Sequence, residues 1–283
     1  MDPGSGRCDD AGADRRPGIR ERGKAVPVRY AARTPEQLRS REVEKTSVGA
    51  WSTVLVALFE TDPDALASVL PRPLEPSPRP LAKATFATVD IAGLPTFGAG
   101  SFSVQCTHEG TLGYYCLVMP MSTEQSVIGG RETFGEPKKI GDVTVDVGGD
   151  GVRGTMSRMG VVFAEFTGRV TETLATPGPE TRTDFYFKAL PAPDGKGLDG
   201  DPALVYCTRE ETVRWVKACD GDLVLRDSKF DPVADLPVRS LVEVTLGERN
   251  AIQKGRIHST VPADWVIPFI HQRYDDLSPT GED

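Results

Sequence analysis

The sequence lacks any apolar run long enough to cross a membrane as a helix. Its longest, Val54–Phe59 and Tyr114–Met121, fall far short of the roughly 18 residues a span needs, so no membrane role is expected. The first residues, MDPGSGRCDDAGADRR, contain no apolar stretch of the kind a secretory signal carries, and a cytoplasmic location is expected. No CxxC pair occurs among Cys8, Cys106, Cys116, Cys207 and Cys219, so these read as free thiols in a reducing compartment. Only three histidines are present, His108, His258 and His271, without HExxH or other paired-ligand spacing. A metal site would have to be assembled from remote segments, and none is expected. There is no GxGxxG or GxxxxGK[ST] phosphate loop, no GxSxG elbow and no internal repeat.

Positive charge is also scarce. The 283 residues hold 33 Lys and Arg against 41 Asp and Glu, a net charge of −8. Residues 1–45 carry 11 basic and 8 acidic side chains, which leaves 22 basic and 33 acidic for the rest. An acidic body excludes nucleic acid as the main partner, because phosphate binding needs a basic face. The 29 Gly and 23 Pro exclude a long-helix protein, and 39% apolar residues exclude global disorder.

Three segments follow from the pattern: a tail with one short helix over 1–45, a single domain over 46–274, and an acidic tail over 275–283. Thr34-Pro35-Glu36 predicts a helix start, with Thr34 as N-cap, running to about Lys45. Asp62-Pro63-Asp64 predicts a second, stopped by Pro71 and Pro73. The rest reads as strands: Val48–Glu60, Leu81–Ile91, Ser101–His108, Tyr114–Met121, Val143–Val147, Val152–Met159, Val161–Thr171, Asp184–Leu190, Ala203–Cys207, Thr212–Lys217, Leu223–Asp227 and Leu241–Leu246. Short turns such as Glu109-Gly110 favour antiparallel neighbours. The expected fold is mostly β, one closed or strongly curled antiparallel sheet with a few peripheral helices. Met119, Met121, Met156 and Met159 read as core filler on these strands.

One segment carries chemistry: Gly130-Arg131-Glu132-Thr133-Phe134-Gly135-Glu136-Pro137-Lys138-Lys139-Ile140-Gly141. Pro137 biases Glu136 to an extended conformation, and in an extended segment Lys138 and Lys139 point to opposite faces. Adjacent ammonium groups disfavour each other's charge and burial disfavours it further, which favours a neutral amine able to attack a carbonyl. By the same pleat Glu136 shares a side with Lys138. It either carries protons there or points to solvent at the strand entry.

The segment GRETFGEPKKIGD resembles the signature of the acetoacetate decarboxylase family. Phe59–Leu66 with Leu70–Glu75 resembles that family's first helix and following turn, and Asp231–Val238 its late segment, so the likeness spans roughly 46–250. The resemblance implies a cone-shaped, closed antiparallel β-barrel holding a Schiff-base lysine and needing no metal or organic cofactor. It implies Lys138 as nucleophile and Lys139 as its charged neighbour, with Arg131 and Glu132 in structural or supporting roles; Phe134, with the methionines, reads on its own as lining a more apolar pocket for a larger substrate. The resemblance also implies a homo-oligomer. The family's decarboxylases use an arginine and two glutamates at places that hold Ser52, Thr85 and Ala99 here. Without them the cavity loses a carboxylate clamp and proton carriers, which points away from simple acetoacetate decarboxylation.

The expected function is therefore a divergent Schiff-base lyase acting on a small keto acid or polyketide-like carbonyl substrate. Decarboxylation and aldolase- or dehydratase-type chemistry in specialised metabolism are both compatible with it. The alternatives are a non-covalent cyclase or isomerase in the same cavity, and a non-enzymatic barrel that binds a small molecule.

Overall fold

A computed structural model describes residues 28–39, 50–91 and 95–275. The chain divides into two units, Met1–Lys45 and Thr46–Asp283. In the first, residues 35–39 (α1) are helical. Gln37 N–H donates to Thr34 Oγ1 (3.2 Å) and Thr34 N–H to the Gln37 side-chain oxygen (3.0 Å), a reciprocal capping box. The expected extension of this helix to Lys45, Cys8, and most of both tails lie outside the described residues.

In the second unit, twelve strands of the described residues join in one sheet. They are β1 (Ala50–Glu60), β2 (Glu75–Pro76), β3 (Leu81–Ile91), β4 (Phe97–His108), β5 (Thr111–Met121), β6 (Lys138–Ile140), β7 (Asp142–Gly148), β8 (Gly151–Arg158), β9 (Val161–Thr173), β10 (Glu180–Lys188), β11 (Ala203–Leu225) and β12 (Ser240–Thr260). Strands β10-β5-β4-β3-β1-β12-β11 follow one another, and a β10–β11 pairing closes them into a ring. Closure is not wholly antiparallel, because β10 meets β5 in a short parallel seam and β6 also pairs β5 in parallel. Helix α2 (Pro63–Ser68) starts where the sequence places it, with Asp62 Oδ1 accepting from the N–H groups of Asp64 (2.9 Å) and Ala65 (3.0 Å).

The alternation of each strand separates two environments. On β1 and β3, Val54, Val56, Thr85 and Ala87 face an interior cavity, while Leu55, Ala57, Ala84 and Phe86 face the main hydrophobic core. Strands β9, β8 and β7 continue the sheet from the second half of β11, and Phe163, Phe166 and Met156 from them fill that same core. A Cβ on Gly154 of β8 would lie 2.8 Å from both Leu55 Cδ2 and the Phe86 ring, so the missing side chain permits this approach.

Three expectations need correction, and one element was not foreseen. Ala203–Cys207, Thr212–Lys217 and Leu223–Asp227 are not three strands but one, β11, whose register shifts at Leu204/Val205, Val213/Trp215 and Ala218/Cys219. Such bulges bend one long strand so that it serves two parts of the sheet. Strand β12 runs to Thr260 instead of Leu246; its extension is half-buried or exposed from Glu248 on, so it lacks the buried apolar alternation that marks a strand, while its ladder with β11 holds it extended. Met159 is not core; it sits exposed at positive φ in the β8–β9 turn. Finally, Glu124–Phe134 is a helix (α3), masked in the sequence by Gly129-Gly130. Cys106, Cys116, Cys207 and Cys219 are free and buried, as expected. No described helix is long and apolar enough to cross a membrane.

Phe86 is fully buried between the ring and β8. Phe86→Ala is expected to cost about 3–5 kcal/mol and lower the melting temperature by roughly 10 °C, read by calorimetry.

Candidate active site

Helix α3 ends at Gly135, whose φ of +84° is the left-handed cap that turns the chain into Glu136-Pro137-Lys138. Lys138 and Lys139 then diverge with the pleat of β6. Lys138 Nζ lies 2.9 Å from Glu136 Oε2, and that carboxylate is buried and not at a solvent-facing strand entry. Its other oxygen accepts from Arg209 Nη2 and Gln253 Nε2, each at 2.8 Å. Burial alone would raise the Glu136 carboxyl, but the Lys138 ammonium and the Arg209 guanidinium hold it below the usual carboxylate range. Gly130 is required here: a Cβ would fall 2.6 Å from Lys138 Nζ and clash with Glu136.

Lys139 goes the other way. Its ammonium lies 2.8 Å from Asp275 and 3.7 Å from Asp231, and Arg158 binds the same two carboxylates at 2.6–2.7 Å. Asp275, assigned by sequence to the acidic tail, is thus tied to the domain. This cluster borders a groove of about 730 Å³, larger than the ring cavity, but its cations and carboxylates already satisfy one another. Arg131 donates to the Lys138 carbonyl (2.8 Å) and stacks on Tyr274, so it braces the lysine's backbone. Glu132 is exposed. Phe134 packs between Gly255 of β12 and a cluster containing Cys116, Met119 and Tyr186.

The ring encloses a cavity of about 230 Å³. Four basic side chains line it, Lys83, Arg182, Arg209 and Arg249, against two acidic ones, Asp184 and Glu211. Arg209 Nε donates to Asp184 (2.6 Å) and its Nη2 also reaches the Tyr186 hydroxyl (3.2 Å). Glu211 accepts from Arg182 Nη1 (3.1 Å) and Arg249 Nη1 (2.6 Å). Burial would raise Asp184, yet Arg209, Arg182 and Lys83 keep it low. Lys83 Nζ sits 3.7 Å over the Tyr114 ring, and burial pulls its ammonium down to about 7. Arg209 therefore links the Lys138–Glu136 pair to this cavity.

A model of the family "Acetoacetate decarboxylase (ADC)" matches residues 26–261. The chain belongs to the acetoacetate decarboxylase family. It is 28% identical over 200 residues to an acetoacetate decarboxylase of Burkholderia cenocepacia, covering 67% of this chain and 78% of that one. With the Chromobacterium violaceum enzyme it shares 28% over 229 residues, 78% and 87% of the two chains. Among solved structures, the acetoacetate decarboxylase of Legionella pneumophila aligns with a TM-score of 0.65 at 21% identity, over 75% and 88% of the chains. The enduracididine biosynthesis enzyme MppR complexed with pyruvate aligns at 0.64 and 21%, over 75% and 90%.

Ser52, Thr85 and Ala99, which stand where the family's decarboxylases are expected to carry an arginine and two glutamates, all line the ring cavity. The charged groups that line the cavity are Lys83 of β3 and five residues of β10, β11 and β12. Sequence reading missed Lys83, Arg182, Asp184, Arg209, Glu211, Arg249 and Gln253. A signal existed: Arg182-x-Asp184-x-Tyr186 and Arg249-x-Ala251-x-Gln253 repeat at period two, so each set shares one face. The buried thiols compete poorly as nucleophiles, since burial pushes Cys207 up to about 11 and Cys116 up to about 12. At the β4–β5 turn the fold does assemble remote segments: His108, Glu109 and His258 bring ligand atoms within 4.8 Å of one another. They are engaged already, His258 with Glu109 at 3.1 Å and His108 with the Tyr206 hydroxyl at 2.6 Å.

Two stability tests follow. Removing one member of a buried ion pair leaves the rest uncompensated, so Glu136→Gln is expected to cost about 3 kcal/mol at pH 7 in chemical denaturation. Because the carboxyl is lowered by folding, its contribution is present above the unfolded carboxylate value and lost as pH falls below it; the variant therefore loses part of the acid sensitivity of the parent. Lys83 behaves oppositely. Its folded value lies below the unfolded one near 10.4, so protonation penalises folding increasingly as pH falls from about 10 to 7. Lys83→Met is expected to raise the melting temperature at pH 7 and to do so much less at pH 10.

Proposed function

We propose that the chain is a Schiff-base enzyme for a small keto acid, with Lys138 as the amine that condenses with the substrate carbonyl. The observation that supports this most is the 2.9 Å pair of Lys138 Nζ and the buried Glu136 carboxylate, joined through Arg209 to a cavity rich in guanidinium groups. In the resting state Lys138 and Arg209 keep Glu136 ionised. A substrate carboxylate entering the cavity draws on the same Arg209 cation. Its arrival weakens the field that holds Glu136 low and favours transfer of the lysine proton to Glu136. The neutral amine adds to the carbonyl carbon, Glu136 returns the proton to the carbinolamine hydroxyl, and water leaves to give the iminium. Atoms and charge balance without a further co-reactant.

The iminium withdraws electrons from the adjacent carbon, which serves decarboxylation, aldol cleavage and dehydration alike. With Ser52, Thr85 and Ala99 in place of charged groups, acetoacetate decarboxylation is the less favoured of these. Binding of pyruvate by MppR, a neighbour in fold, supports a keto acid as substrate class. The ion pair also favours a second reading, catalysis without covalent attachment, because an ammonium held by a carboxylate is no nucleophile until it transfers its proton.

The test is reductive trapping. Incubation with pyruvate or acetoacetate, followed by borohydride and peptide mass mapping, is expected to place a reduced adduct on the peptide bearing Lys138, absent in Lys138→Ala. No adduct on that peptide with any keto acid tried would sink the covalent reading at Lys138, and turnover that survives Lys138→Ala with no reducible adduct anywhere on the chain would establish the non-covalent one.

A further inference from the structure

Lys83 is the lysine that lines the ring cavity, and nothing in the family signature points to it. It lies on β3 two residues before Thr85 and on the same face, so its side chain enters the cavity beside one of the positions that lost its expected carboxylate. It is 8% exposed, which is unusual for a lysine. Among the described residues no carboxylate comes within ion-pair distance of its nitrogen, which rests on the Tyr114 ring face. This contrasts with Lys138, Lys139 and Lys254, each paired at 2.8–2.9 Å.

The charged surroundings are as telling as the missing partner. The groups that act on Lys83 are Arg182 and Asp184 of β10 and Arg209 and Glu211 of β11, with Tyr114 of β5 beneath it. Asp184 is already bound by Arg209, and Glu211 by Arg182 and Arg249. Burial and the two arginines thus act against the ammonium; Asp184 and Glu211 favour it, but each is already bound by guanidinium groups. In the same cavity the Nε–H groups of Arg182 and Arg249 are buried without a hydrogen-bond acceptor. Two guanidinium groups that share Glu211 but keep a free Nε–H each, in one cavity with an unpaired amine, match the two ends of a small molecule bearing a carboxylate and a carbonyl.

We infer that Lys83 is a carbonyl-condensing amine inside the cavity, separate from Lys138, taking the aldehyde or ketone carbon of a small carboxylate-bearing substrate that Arg182 and Arg249 hold. The neutral amine adds to the carbonyl carbon to form a carbinolamine. The hydroxyl leaves as water with a proton taken from solvent, and a protonated imine on Lys83 remains. The inference rests on the reading of the ring as a carbonyl site, not on Lys138 being reactive.

Two measurements on the intact protein decide it. The first needs no substrate: trace acetylation with acetic anhydride from pH 5 to 10, resolved by peptide mass, with the denatured chain as reference. Lys83 is expected to reach half its limiting rate near pH 7, about three units below its value in the unfolded chain. A midpoint shared with the unfolded chain, or no labelling of Lys83 at any pH, overturns the inference. The second is borohydride capture with glyoxylate and with pyruvate. An adduct on the β3 peptide that persists in Lys138→Ala and falls at least tenfold in Lys83→Met supports it. Lys83→Arg, which keeps length and charge but forms no imine, serves as the second variant. Capture confined to Lys138 and unchanged in Lys83→Met overturns this inference and leaves the proposed function standing. Capture confined to Lys83 does the reverse.

Discussion

The arrangement turns on one buried carboxylate. Glu136 is fully shielded from solvent, and an ionised carboxylate in that position persists only if charge and hydrogen bonds meet it. They come from three strands: Lys138 on β6, Arg209 on β11 and Gln253 on β12. The short β6 segment is therefore bound to the far side of the ring by more than its ladder with β5. The demand propagates along the sequence. Gly130 leaves room for the pair, Gly135 turns the chain into it, and Arg131 fixes the Lys138 carbonyl. Arg209, held by Glu136, in turn holds Asp184 and Tyr186. A single compensation requirement thus links the motif to the cavity floor.

The cavity has two unlike walls as a result. Strands β1, β3 and β4 contribute small or uncharged groups such as Ser52, Thr85 and Ala99, with Lys83 as the exception. Strands β10, β11 and β12 contribute Arg182, Asp184, Arg209, Glu211 and Arg249. Such a site orients a ligand that has an anionic head and an uncharged remainder, because each end finds one matching wall. The acidity of the whole chain gives no hint of this. A net charge of −8 is a property of the surface, and the local balance of four cations to two anions is set inside the ring.

Much of the fold was legible because strand periodicity and turn chemistry are local. β3 was readable to the residue, and Asp62 caps α2 as its sequence demands. The failures share a cause. Helix α3 contains Gly129-Gly130, and local propensity argues against a helix where packing against Glu136 and Lys138 requires glycine. The second half of β12 has no buried residue from Glu248 to Thr260, and only Arg249 and Ala251 of it line the cavity, so it carries no hydrophobic alternation to read. Of the candidate residues, the PKK motif was visible, as was the division of its two lysines by the pleat. Arg209 and Gln253 were not, since their approach to Glu136 spans 73 and 117 residues of sequence. Only closure of the ring brings them there.

The pleat also separates two tasks that the adjacent lysines were expected to share. Lys139 was the cation that would discourage a charge on Lys138, but its ammonium meets Asp231 and Asp275 on the opposite face, where Arg158 joins them. There it ties β6 to the Asp231–Val238 segment, whose Val233 and Leu236 anchor in the main core. That gives both family-like segments a joint structural purpose independent of catalysis. It also removes the simplest way of activating Lys138, because a cation flanked by two carboxylates exerts little net field across a strand. What remains close to Lys138 is Glu136, 2.9 Å away, and behind it Arg209. Under the proposed function, the group placed to take a proton beside Lys138 is then Glu136 and not a neighbouring lysine.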